Sequence, residues 1–420
     1  MPDGSGVDVA ALDQDIDRAN AGAIDRICHA GAWLVDLQPA RDLIDIGNDE
    51  FLHAGPPLAG WQEACGPLKG AVIANLIERG RAATFEQGEE IAASGAIRLV
   101  SASTKNVAAT AGGVIAAETQ LFVMKDKVFG NVGFAAINEG RGHALRYGSY
   151  DIETRQKYRW MESEFATSFR ESLKRLGEID ILAILRQALN MGDEGHSRQK
   201  AASAMIANTV APYMPTRNAD IFERVMRFLC ANEIFFLPLT MAAGKAVMAS
   251  ARNIPNCSIV TAMAGNGVDW GIQIGGRDDE WFTAPVPPLK GLYFEGFTEA
   301  DASPVMGDSE VAESMGLGAL AIAAAPALAR YMGGTVSEAY KLTERMYAIC
   351  VSEHPTFKIG TLEFRGTPLG IDVRRVVKTG ISPIFNSGIA HREPGIGQIG
   401  AGYGVVPFEC CRAAAASLYR

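Results

Sequence analysis

The chain has 420 residues, 48% of them hydrophobic, and a formal net charge of −9. That is enough to bury large cores in two or three domains. Without a basic stripe to displace phosphate counterions it excludes a sequence-independent nucleic-acid surface. The amino terminus, MPDGSGVDVAALDQDID, is acidic and lacks the basic start and apolar run of a secretory signal, so a cytoplasmic location is expected.

Residues 1–150 alternate strand-like apolar runs, AWLVDL (32–37), IRLVSAS (97–103) and LFVMKDKVFGNVGFAAI (121–137), with the helical KGAVIANLIERG (69–80), and predict an N-terminal α/β domain. Residues 151–255 predict a helical middle domain. Phe165, Phe169, Leu173 and Leu176 recur at three- and four-residue spacing, and DIFERVMRFLCA (220–231) and LTMAAGKAVMASA (239–251) follow. Residues 256–420 predict a C-terminal α+β domain. CSIVTAMA and VDWGIQI pair around the Asn-Gly turn at 265–267, helices are expected over 308–332 and 335–350, the second opened by the capping box TVSE, and FKIGTLEF and IDVRRVV read as strands. The apolar stretch 315–329 contains Pro326 and falls short of the ~20 residues a membrane span needs, so it reads as a buried core helix and no membrane association is expected. The seven cysteines lack C-x-x-C spacing, which suits inert thiols and supports no metal site; no cofactor is expected.

Three polar islands interrupt this pattern. The 386–404 segment, NSGIAHREPGIGQIGAGYG, surrounds one His, one Arg and one Glu with glycines and reads as a binding loop, since bare backbone lets N–H groups approach a ligand. Its GIGQIG fits the dinucleotide pattern formally, but HREP precedes it where a strand should be and AGYG follows where a helix should be, so that reading is rejected. MGDEGHSR (191–198) brings Asp193, Glu194, His196 and Arg198 within two turns' length, where they can tune one another's protonation. Around WFTAPVP and GDSEVAES, Thr283 offers a polar contact, and Asp308 or Ser309 can cap a helix whose N–H groups favour an anion. Each island is also what a solvated turn or a capping loop looks like.

LHAGPP (52–57), CGPLKGAVI (65–73), NEG with RYG (138–148), ALNMGDEGHSR (188–198), FFLPLTMAAGKA (235–246), MGDSEVAESMGLGALAIAAAPA (306–327), FRGTPLGID (364–372) and NSGIAHREPGIGQIGAG (386–402) together resemble the YlbE/AllG-like bacterial family, over nearly the whole chain. The resemblance implies a large subunit of an oxamate carbamoyltransferase, working with other subunits in ureide catabolism. It would act on a small amide or ureido acid with phosphate or carbamoyl phosphate, and a homo-oligomer is expected. Such chemistry needs donors on the carbamoyl oxygen, cations for phosphate or carboxylate, and a proton carrier for nitrogen. His196 and His391 are the candidate proton carriers, oriented by Asp193, Glu194 or Glu393. Arg198, Arg365 and Arg392 are the candidate oxyanion forks, with Asn266, Asn386, Ser387, Gly388 and Gly397 as further binding positions. The chain departs from the family at 101–113, SASTKNVAATAGG, where a histidine-rich loop is expected, and at Gly265, where the resemblance implies Arg in many relatives. These departures predict a substrate other than oxamate, or an altered activity. Hydrolysis of a ureido compound and a non-catalytic binding or scaffolding subunit are the alternatives.

Overall fold

The structure is a computed structural model that describes residues 9–331 and 334–420. It is α/β, as expected. A five-stranded sheet runs in the order Val107–Ala108, Val132–Ala136, Gln120–Lys125, Trp33–Pro39, Ile179–Asp180. The helix Leu237–Met248 lies against it, with every residue buried. Small residues permit this on both sides of the helix. A Cβ on Gly133 would stand 2.2 Å from the Ala242 carbonyl, and one on Gly244 would meet Val311 at 2.9 Å. The helix therefore joins the sheet to the 308–314 segment. The predicted Phe165/Phe169/Leu173 face closes the same core, where Phe122, Phe169 and Phe235 meet at ring distances of 5.6 to 5.9 Å. This apolar cluster draws residues from all three predicted segments, from Ala23 to Leu369.

The expected hairpin is present: Val260–Asn266 pairs antiparallel with Asp269–Ile274 in a four-stranded sheet completed by Arg277–Pro285 and Met306–Gly307. Asn266 builds its turn, accepting hydrogen bonds from the N–H groups of Val268 and Asp269 at 2.8 and 2.7 Å. Thr335 and Glu338 form the predicted capping box of the helix Val336–Tyr347.

Four features differ from expectation. A helix at Val9–His29, unread in the sequence, packs Ile16 and Ala23 into the core. The 315–329 stretch is buried except at Pro326 and Ala327 and is not one helix: Gly316 and Gly318 take positive φ, and the 3-10 turn Gly318–Ala324 kinks at Ala321. VRRVV is helical, within Val373–Thr379, because Asp372 accepts the Arg374 N–H at its start and Gly380 ends it at φ 67°. The glycine-dense segment is largely a hairpin, Ile384–Ala390 paired with Gln398–Val405, rather than an open loop. Among the described residues no helix is long and apolar enough to cross a membrane.

Candidate functional site

His196 stands in the turn between the helices Ile181–Leu189 and Lys200–Val210, bent by Gly192 and Gly195 at φ 91° and 89°. Its imidazole is 3% exposed, and Nδ1 lies 2.9 and 3.0 Å from the two oxygens of Glu313. Glu313 is itself clamped, accepting N–H groups from Ala319 and Asn386, each at 3.0 Å. A Cβ on Gly318 would lie 2.3 Å from its Oε1, so only glycine fits beside it. Asp193 and Glu194 do not touch the imidazole by hydrogen bonds. Asp193 caps the next helix through the Ala202 N–H at 2.9 Å, with Arg198 Nε 3.5 Å away. Glu194 accepts from the backbone of Ser197 and of Arg198 (2.9 Å), and from Asn386 Nδ2 at 3.0 Å.

Burial alone would lower the basicity of His196, but the Glu313 carboxylate beside it, helped by Glu310 and Glu194, raises its pKa to about 9. Burial pushes the Glu310 carboxyl well above the usual carboxylate range, and among the described residues neither of its oxygens has a hydrogen-bond partner. At neutral pH the centre is an imidazolium paired with Glu313. Nδ1 is engaged by Glu313, so Nε2 is the ring nitrogen left to act, and His196 lines the adjoining cavity.

That cavity is a narrow cleft of about 50 Å³ that opens to solvent. His196, Ser309, Ser387 and Gly388 line it, together with Thr110, Ala111, Arg141, Arg146, Tyr147 and Gln398. Its charged walls are cationic: no acidic side chain lines it among the described residues. Arg146 is 5% exposed, its guanidinium 4.3 Å from the Tyr147 ring centroid and donating to the Gly140 carbonyl. Gly388 must be glycine because a Cβ there would meet the Tyr147 hydroxyl at 2.0 Å. Thr110 and Ala111 bring the departing 101–113 segment to the wall.

The remaining candidates lie elsewhere. Asp308 accepts the N–H groups of Gly55 and Ala109 at 3.0 Å each and so positions Ser309. Asn266 shapes its turn, and Thr283 is exposed on the strand Arg277–Pro285. Gly265 leaves no room for a side chain, since a Cβ would stand 2.7 Å from the Val305 carbonyl. His391 Nδ1 accepts the Glu393 N–H at 2.9 Å and does not line the cavity. Gly397, at φ 103°, offers its carbonyl to the His391 N–H. Arg392 is exposed beside Glu393, and Arg365 pairs with Glu353 at 2.8 Å over the Tyr347 ring.

Arg141, Arg146, Tyr147 and Glu313 were not singled out from the sequence. The two arginines had a signal, two cations in a stretch punctuated by Gly140, Gly142 and Gly148, all at positive φ. Glu313 had none beyond its chain neighbours, because its role depends on contact with a residue 117 positions away. No cluster of three or more His, Cys, Asp or Glu among the described residues is arranged to hold a metal ion.

A family model described as oxamate carbamoyltransferase subunit AllG matches residues 97–309. The oxamate carbamoyltransferase subunit AllG of Escherichia coli (strain K12) is 38% identical over 94% of this chain and 95% of its own length. The uncharacterized protein YahG of the same organism is 34% identical over 95% of this chain and 85% of its own length. A crystal structure of a conserved protein of unknown function from Enterococcus faecalis V583 superposes with a TM-score of 0.94 at 35% identity, over 97% of this chain and 98% of that one.

Proposed function

This chain belongs to the AllG family, and from that premise we propose that it is a subunit of a cytoplasmic carbamoyltransferase that moves a carbamoyl group between a small amide or ureido acid and phosphate. The observation that carries the reading is the cavity itself, walled by Arg141, Arg146 and the imidazolium of His196, with no acidic side chain among the described residues that line it. Such walls suit two anionic reactants held together.

His196 supplies the proton. A carbamoyl group leaves nitrogen only when that nitrogen gains a proton as the bond breaks. An imidazolium held by Glu313 carries that proton at neutral pH, with Nε2 as the nitrogen left to deliver it and ring orientation set through Nδ1. Glu313 and Glu194 are positioning residues: the first holds the imidazole, and the second fixes the 194–198 turn and Asn386. Ser309, Ser387, Thr110, Tyr147 and Gln398 supply neutral donors and acceptors around the reacting group.

Partner subunits and self-association complete the proposal. The test is to assemble the chain with its partner subunits and supply an oxalurate-like ureido acid with and without phosphate. Phosphate-dependent release of carbamoyl phosphate supports transfer. Release of carbamate, and from it ammonia and carbon dioxide, without phosphate would make the protein an amidohydrolase, and activity undiminished by His196→Ala would make this chain a binding or scaffolding subunit.

A further inference from the structure

We propose that the 138–148 turn carries the seat of a tetrahedral phosphoryl group, with Arg146 as floor and Arg141 as rim; the assignment rests on the carbamoyl-transfer reading of the cavity. The first support is the state of Arg146. It is nearly buried, its Nε has no hydrogen-bond partner among the described residues, and the Glu139 carboxylate stands 3.5 Å off. A buried cation so loosely compensated calls for an anion. Nη2 donates to the Gly140 carbonyl and Nε is turned to Glu139, which leaves Nη1 without a protein acceptor among the described residues. A planar carboxylate gains most from two parallel N–H groups on one guanidinium. A phosphoryl group instead takes single donors from several directions, and Arg141, Thr110 and Ser309 provide them around Arg146.

The second support is position. Arg141 is exposed and donates to the Ser197 carbonyl at 3.3 Å, so it bridges from the 138–148 turn to the residue after His196. A phosphoryl group between the two arginines would lie beside the proton donor. The third is charge. Arg141 and Arg146 set two cations at a wall that no acidic side chain lines among the described residues, beside an imidazolium already paired with Glu313, and hydrogen phosphate brings about two negative charges. The charge on the reactants is conserved through the step. A phosphate oxygen attacks the carbamoyl carbon, and the carbon–nitrogen bond breaks with its electron pair going to nitrogen. His196 protonates that nitrogen and is reloaded from the phosphate hydroxyl. Carbamoyl phosphate and the amide acid leave, and the same seat serves the reverse direction.

The test uses Arg141→Gln and Arg146→Lys in the full chain. Calorimetry with inorganic phosphate and the chain alone should show saturable binding to wild type that weakens about tenfold or more in both variants, because a single-point ammonium or an amide cannot replace the guanidinium. In the assembled complex the KM for phosphate should rise by a similar factor while that for the ureido acid stays within about twofold. Equal rises in both KM values, or phosphate binding unchanged in the variants, overturns the seat even if the complex turns over normally. Phosphate binding that the variants abolish, in a complex without transferase activity, keeps the seat and removes the reaction instead. Should Arg146→Lys lose its fold by circular dichroism, the exposed Arg141→Gln decides.

Discussion

Two histidine turns in this chain have nearly the same composition and different chemistry. DEGHSR holds His196, two acids and Arg198; HREP holds His391, Arg392 and Glu393. His391 is satisfied within its own turn, by the Glu393 N–H, and its neighbouring charges face solvent. His196 is satisfied from far away, by a carboxylate that the 308–314 segment brings against the central helix. Local hydrogen bonds finish a turn; a buried charge delivered across the fold builds a centre whose protonation can be set. Composition alone does not distinguish them.

The sharpest way to break this comparison is to delete each imidazole. His196→Asn should lower carbamoyl transfer by about 10² to 10⁴ fold, the usual worth of a positioned proton donor, while His391→Asn should stay within about threefold; steady-state kinetics on the assembled complex read both. Equal losses would erase the distinction. Glu313→Gln should act through His196. Without the carboxylate, burial dominates and the imidazole is neutral at pH 7, so activity falls and the alkaline limit of the pH–rate profile moves down.

In wild type that limit should lie near pH 9, with a matching effect on stability. The folded-state pKa is raised above the ordinary 6.5, so the stabilisation is fully present below about 6.5 and is lost as pH rises through about 9. Thermal melts across that window check it, and a flat profile would contradict it. Gly318→Ala should cost on the order of 1–3 kcal/mol in denaturant melts, from positive φ at residue 318 and the clash with Glu313. The smallest effect is expected at the surface. Arg365→Lys loses the fork to Glu353 and the contact with Tyr347, worth at most about 1 kcal/mol at this exposure, and should leave the KM for phosphate unchanged.

What was legible in the sequence was local. The Asn266 hairpin, the Thr335 capping box and the 165/169/173 face were readable because each depends on residues within one turn or one face. VRRVV was misread because β-branched residues favour strands, while Asp372 and Gly380, which frame it as a helix, act at its ends. Polar islands were visible at 193–198, 308–309 and 386–388, and the fold brings side chains from each to one place. Glu313 and Arg146 were not, because an acid in a helical pattern and an arginine in a turn look like solvated residues until the packing around them is known. The 101–113 segment sharpens the question of substrate: with Thr110 at the wall and no histidine, it should favour a neutral or differently shaped ureido group over oxamate, and robust oxamate turnover would refute that.

The central claim is that Glu313 holds His196 as an imidazolium. Nitrogen-detected NMR titration of the imidazole in the full chain, wild type beside Glu313→Gln, measures this directly. The wild-type ring should titrate at about 9 and the variant's below the ordinary 6.5. A wild-type His196 that is already neutral at pH 7, or one that titrates identically in the variant, would contradict the account.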